Sequence, residues 1–183
     1  MARICVFCGS RPGNLSEFAE AAAALGVYLA ESGHTLVYGG GSTGIMGILA
    51  DAVLRNGGNV IGVIPRQLAR PELMHGGVID MRITDDMHER KALMHSLADA
   101  YIALPGGYGT LEELFEAVTW AQLEIHTCQV AVLNIGGLFD GLFTLLDQMT
   151  ERGFLSQECS RHLQVFTNTA QVLEWVASLG TLR

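Results

Sequence analysis

Short, continuous apolar runs, each ended by glycine, proline or a polar residue and alternating with helix-like stretches, recur along this chain. They are Arg3 to Cys8, Thr35 to Tyr38, Asn59 to Ile64, Val78 to Thr84, Ala100 to Leu104 and Gln129 to Asn134. A strand with one wet face alternates polar and apolar residues, whereas a strand that is apolar throughout is covered on both faces. Helices between such strands therefore predict a parallel sheet with helices packed on either side. The intervening segments read as helices: Ser16 to near Gly33, about Ile45 to Asn56 with Gly57 and Gly58 stopping it, Asp86 to Ala98, a long one from Thr110, and one from about Asp140. A polar loop, Arg66 to Gly77, follows the third strand; a short strand near Val165 and a helix from Thr169 close the series. The fold class expected is α/β, a Rossmann-like doubly wound parallel sheet. With 183 residues, 49% hydrophobic, and no repeat or linker, residues 1–183 read as one domain.

Charge and cysteine usage remove several function classes. A net charge of −8 argues against a surface for nucleic acid polymers or anionic lipid, so an anionic ligand has to be small and locally bound. The apolar stretch Ile4 to Cys8 is shorter than the ~7–15 residues of a signal-peptide core. No run approaches the ~18 apolar residues of a membrane helix. A soluble, cytoplasmic protein is expected. Cys5 and Cys8 form a C-x-x-C pair, but inside a strand, where residues three apart point to opposite faces. His88 and His95 share a helix face yet lie two turns, about 10 Å, apart. No metal site and no cofactor are expected.

In doubly wound sheets ligands bind beyond the carboxyl ends of the strands. Small-residue turns sit at three such ends: Cys8 to Ser10, Gly39 to Gly44, and Pro105 to Thr110. Ser10, Gly41 and Thr43 are candidate phosphate or crevice contacts. Gly39 to Gly44 fits G-x-G-x-x-G, but the next strand ends at Ile64-Pro65-Arg66 without the acid that would hold a ribose hydroxyl; only Arg66 keeps an NADP reading open. In Pro105 to Glu113, P-G-G-Y-G-T-L-E-E, Thr110 is placed to cap the helix and Glu113 to complete a T-x-x-E capping box. The alternative is chemical, because a carboxylate beside an anion-binding turn is unfavourable unless the acid has a task. Arg90 heads the apolar stripe Leu93, Met94 and Leu97, so it faces the sheet. It either snorkels to solvent or meets an anion or carboxylate. Lys91 beside it is the sole lysine of the chain, and both cations sit at the unfavourable end of the helix dipole.

The segments M-H-E-R-K at Met87 to Lys91 and P-G-G-Y-G-T-L-E-E at Pro105 to Glu113, with V-F-C-G-S at Val6 to Ser10 and V-Y-G-G-G-S-T-G-I-M-G at Val37 to Gly47, resemble the Lonely Guy (LOG) family. These are cytokinin riboside 5'-monophosphate phosphoribohydrolases, often labelled lysine decarboxylases. The resemblance spans essentially the whole chain. It implies hydrolysis of the N-glycosidic bond of a nucleoside 5'-monophosphate, such as an N6-substituted AMP, to free base and ribose 5-phosphate. It also implies a catalytic pair, Arg90 and Glu113, and substrate contacts at Glu72, Arg90, Lys91, Gly107, Tyr108, Gly109, Thr110, Leu111, Glu112, Glu113 and Thr119. A decarboxylase would need a pyridoxal-phosphate lysine, and the one lysine lies in the nucleotide motif.

The implied chemistry is coherent. Glycosidic cleavage passes through an oxocarbenium-like sugar, which a carboxylate stabilises while it activates water. Arg90, paired with Glu113, would keep that carboxylate ionised and aimed; Glu112, in the same turn, competes for the role. Leu111, Leu114, Phe115 and Val118 form one stripe of the helix after Thr110, and Ala117, Trp120 and Leu123 continue it around the cylinder. Either a central position or a subunit contact explains that, and the resemblance implies a homodimer. A carrier of the same fold that binds a nucleotide or cofactor without cleaving it is the rival reading, and the presence of both Arg90 and Glu113 favours the hydrolase. No residue pattern separates N6-prenylated adenine from plain adenine.

Overall fold

A computed structural model describes residues 1–179; the last four residues of the expected domain, 180–183, lie outside the described part. In chain order the elements are β1 Arg3–Phe7, α1 Ser16–Glu31, β2 Thr35–Tyr38, α2 Gly44–Arg55, β3 Asn59–Pro65, β4 Asp80–Thr84, α3 Met87–Leu97, β5 Ala100–Ala103, α4 Tyr108–Gln122, β6 Gln129–Leu133, α5 Asp140–Glu151, β7 Leu163–Phe166 and α6 Thr169–Leu179. The seven strands form one sheet in the order β4-β3-β2-β1-β5-β6-β7, every pair parallel. The doubly wound fold expected from the apolar runs is the fold observed.

The pleat divides the core into two layers. Ile4, Val6 and Cys8 point toward α1, α2 and α6, where Leu25, Leu29, Leu49, Val53 and Val176 are buried. Cys5 and Phe7 point the other way, against Met94 and Leu97 of α3 and Leu114 and Ala117 of α4. The C-x-x-C cysteines thus occupy opposite faces as free, buried thiols, and burial pushes both well above the usual thiol range. The winding reverses between β1 and β5, which are paired in register from Ile4 with Ala100 to Phe7 with Ala103. A crevice opens at their carboxyl ends, as the sheet order demands.

Two local expectations change. Helix α4 begins at Tyr108 with Gly107 as its N-cap, so Thr110 is inside the first turn and the T-x-x-E box does not form. The reciprocal cap occurs on α3: Asp86 Oδ1 accepts from the Glu89 amide at 2.8 Å, and Glu89 Oε2 accepts from the Asp85 amide at 2.7 Å. Strand β4 begins at Asp80 rather than Val78.

Candidate active site

The floor of the crevice is built where the turns after β1 and β5 nest. Gly9 N–H donates to the Pro105 carbonyl at 3.0 Å, and Leu104 N–H to Phe7 O at 2.9 Å. A side chain at Gly106 could not be accommodated: its Cβ would lie 2.0 Å from Thr110 Oγ1 and 2.9 Å from the Gly9 nitrogen. With Gly106 bare, α4 starts directly over the ends of β1 and β5. Its opening amides lack intrahelical acceptors and carry the positive end of the helix dipole, which favours an anion at Tyr108 to Thr110.

Helix α3 delivers the cation. Arg90 turns inward, as the stripe it heads predicts, and its Nε donates to the Val63 carbonyl on β3 at 3.0 Å. Nη1 donates to Glu113 Oε1 at 2.9 Å, with both side chains almost entirely buried. Gly39 makes room, since a Cβ there would lie 2.4 Å from Arg90 Nη2. Glu113 is 8% exposed. Burial pushes its carboxyl above the ordinary glutamate range, with Arg90 opposing. The expected ion pair exists, but desolvation prevails over it, and the result is a carboxylate more basic than a solvated one.

The pair faces a cleft of about 700 Å³. The loop Gly9 to Asn14, the turn Gly106 to Thr110, Arg90 and Glu113 form its polar side, while Val6, Phe18, Ile45, Met46 and Leu138 form an apolar wall. Among the described residues no group of three or more His, Cys, Asp or Glu is arranged to hold a metal ion. A buried, basic carboxylate tied to one arginine beside an anion-binding helix start is suited to stabilising a developing cation on a phosphorylated substrate and to taking a proton from water.

The profile of a family described as possible lysine decarboxylase matches residues 46–176. The probable cytokinin riboside 5'-monophosphate phosphoribohydrolase LOGL1 of Oryza sativa subsp. japonica is 50% identical over 171 residues, covering 93% of this chain and 76% of that protein. The phosphoribohydrolase LOG1 of Arabidopsis thaliana is 48% identical, covering 93% and 80%. The chain belongs to the LOG family. Among solved structures, the molybdenum cofactor binding protein of Rippkaea orientalis superposes with a TM-score of 0.74 over 97% of this chain and 96% of that one, at 21% identity. The Moco carrier protein of Chlamydomonas reinhardtii gives 0.73 over 98% of both chains, at 22% identity. These two likenesses establish the fold alone.

Of the residues that the LOG motifs and the strand-end turns single out, Ser10, Arg90, Gly107, Tyr108, Gly109, Thr110 and Glu113 line the cleft. Gly41, Thr43, Glu72, Lys91, Leu111, Glu112 and Thr119 do not, and for most of them the structure gives the reason. Gly41 bridges to Met74 in the loop after β3, and Thr43 Oγ1 donates to the Ser10 carbonyl at 3.1 Å, bracing the loop instead of facing the crevice. The glycines of the G-x-G-x-x-G stretch therefore include two, Gly39 and Gly41, that serve protein contacts. Glu72 is exposed in the loop after β3. Lys91 Nζ is held by Glu112 and by Glu116, the latter at 3.1 Å. Burial works against its charge, yet those two carboxylates hold it above the ordinary lysine range. A lysine kept protonated by two acids is a poor Schiff-base former, so the decarboxylase label does not describe this LOG chain's only lysine. Thr119 lies on the outer face of α4, four residues from both Phe115 and Leu123. Two wall elements carried no sequence signal, Arg11 to Asn14 and Leu138, while Met46 falls within the Val37 to Gly47 motif, which does not single it out.

Proposed function

We propose that this protein hydrolyses the N-glycosidic bond of an adenosine 5'-monophosphate bearing an N6 substituent, releasing the free base and ribose 5-phosphate. The observation that carries this reading is the buried Arg90–Glu113 pair at 2.9 Å, set beside the bare start of α4 in one cleft. The relatives' names, cytokinin riboside 5'-monophosphate phosphoribohydrolases, supply the substrate class. The 5'-phosphate sits on the amides at Gly107 to Thr110, which brings the anomeric carbon toward Glu113. As the bond from that carbon to the base nitrogen breaks, Glu113 stabilises the oxocarbenium-like sugar and accepts a proton from the attacking water. The water oxygen becomes the sugar's anomeric hydroxyl, and the departing nitrogen takes up a proton. Arg90 keeps Glu113 in place. The apolar wall of Phe18, Ile45, Met46 and Leu138 suits a base with an apolar substituent.

The working form is a homodimer. Leu111, Phe115, Thr119 and Leu123 recur every four residues along α4, and Phe115, Leu123 and nearby Ile125 are exposed although large and apolar. A second copy seated on that stripe would cover them and bring Thr119 to a subunit junction. Four free thiols and no membrane-length apolar helix among the described residues support a reducing, cytoplasmic setting. The test is incubation with AMP and with an N6-substituted AMP, without added metal or cofactor, following both products by chromatography. Base and ribose 5-phosphate should appear in equal amounts, and EDTA should leave the rate unchanged. Tight nucleotide binding with no base released from any monophosphate would replace this reading with that of a carrier.

A further inference from the structure

Behind the Arg90–Glu113 pair, the same two helices share a second polar contact that the proposed reaction does not use. Lys91 and His95, four residues apart on α3, face Glu112 and Glu116, four residues apart on α4. Glu116 is the hub. Its Oε1 accepts from Lys91 Nζ at 3.1 Å, and its Oε2 lies 3.1 Å from His95 Nε2. His95 Nδ1 lies 2.9 Å from the Tyr101 hydroxyl on β5, and the Trp120 ring packs over the imidazole at a centroid distance of 4.3 Å. The side chain of His95 is only 7% exposed. Burial lowers its proton affinity, which makes it neutral near pH 7. A neutral imidazole bonded on both nitrogens carries one proton. The arrangement that satisfies every group has the Tyr101 O–H donating to Nδ1 and the Nε2–H donating to Glu116.

Such a cluster is a poor device for stability alone, because apolar residues of equal volume hold two helices together as well as buried charges do. What it provides is choice of register. Arg90 and Lys91 face three carboxylates, Glu112, Glu113 and Glu116, and charge alone would let Arg90 take any of them. His95 removes that freedom: with Nδ1 committed to Tyr101, its single N–H reaches Glu116, and Glu116 in turn engages Lys91. We propose that Glu116, held by His95 and Lys91, is a positioning residue that fixes α4 on α3 in the one register where Arg90 meets Glu113. This inference rests on Arg90 and Glu113 being the reacting pair.

The test compares Glu116→Gln, His95→Ala and His95→Gln with the wild type, well below their melting temperatures, in kcat, KM, pH profile and the carboxyl 13C titration of Glu113. Misplacing the pair by a fraction of an ångström predicts a kcat lowered by roughly 10- to 100-fold in Glu116→Gln and His95→Ala. KM should stay within about threefold, because the phosphate cradle is untouched. His95→Gln retains a donor for Glu116 and should recover most of the rate.

The titration discriminates by sign. The charges that set Glu113 are Arg90 and Lys91 from α3 and Glu112 from its own helix, and the thiols of Cys5 and Cys8, on opposite faces of the sheet, also feel its charge. Removing the negative charge of Glu116 would by itself lower the Glu113 midpoint or leave it unmoved. Loosening Arg90 from Glu113 raises it, and moves the acid limb of kcat/KM to higher pH. Variants that melt earlier yet keep the wild-type kcat, acid limb and Glu113 midpoint would reduce the cluster to a structural one. If the wild type releases no base from any monophosphate, the hydrolase reading falls, and the Glu113 titration still decides the positioning claim.

Discussion

Gly39→Ala tests whether the placement of one guanidinium governs turnover. Gly39 has no positive φ, so alanine meets no backbone strain there. The added methyl would lie 2.4 Å from Arg90 Nη2, where ordinary contact begins at 3.4 Å. The guanidinium therefore has to retreat by about 1 Å, which its bonds of 2.9 Å to Glu113 and 3.0 Å to the Val63 carbonyl do not survive together. A charge-assisted hydrogen bond contributes about 1.5–3 kcal/mol net. Lost from the transition state, that is roughly 10- to 150-fold in kcat/KM, the range that a 1 Å misplacement produces elsewhere. Stability should fall less, because replacing glycine by alanine returns about 0.4–1 kcal/mol through the unfolded chain. The net loss of about 1–2 kcal/mol lowers Tm by roughly 2–8 °C in a domain of this size. Steady-state kinetics and thermal unfolding monitored by circular dichroism measure both quantities on one preparation. Gly141→Ala, in α5 with open space around the new methyl, is the control and should keep its activity. A Gly39→Ala protein with kcat/KM within twofold of the wild type would show that Arg90 tolerates displacement and that its contact with Glu113 is not what turnover needs.

Glu113→Gln preserves shape while removing charge, so nucleotide affinity should hold within a few-fold and kcat should fall by roughly 10²- to 10⁴-fold; if Glu112→Gln shows that loss instead, the catalytic role moves to Glu112. A nucleoside lacking its 5'-phosphate should be a poorer substrate by ~10²-fold or more, with inorganic phosphate competing against the monophosphate, and equal kcat/KM for the two would eliminate the anion cradle at Gly107 to Thr110. Phe115→Asp combined with Leu123→Asp should convert a dimer into a monomer by light scattering; a variant that stays dimeric moves the interface off the α4 stripe.

The sheet was legible because it is written locally, whereas the Arg90–Glu113 pair, whose contact the structure shows, was pointed to by the LOG motifs and not by local pattern. Continuous apolar runs announce strands covered on both faces, and an arginine heading the stripe Leu93, Met94 and Leu97 either snorkels out or meets a carboxylate; the structure shows the second, with Glu113 as the partner. The start of α4 was misread for an equally local reason. Thr110 and Glu113 have the spacing of a capping box, but Gly107 takes the N-cap position, and the threonine is buried over Gly106 instead. What stayed hidden depends on residues far apart in sequence coming together: Leu138 lining the same cleft as the loop after β1, and His95 bonding both Tyr101 and Glu116. Considered on its own helix, His95 could be related only to His88, two turns away. Its partners become visible once β5 and α4 are laid beside α3.

The reversal of winding at β1 also dictates an order of assembly. Neighbours from β1 to β4 are consecutive in the chain, so that half of the sheet can pair as the polypeptide emerges from the ribosome. The seam between β1 and β5 joins Ile4 to Ala100 and has to wait for a loop of that length to close. Until it does, α4 has no platform, and Arg90 emerges with its Val63 acceptor already made but its carboxylate still unmade. The nascent protein thus carries a half-formed sheet whose first strand is open along the side that β5 will fill. That edge is a site for chaperone capture or for mispairing with another nascent copy, and catalytic competence arrives with the closing of the same edge.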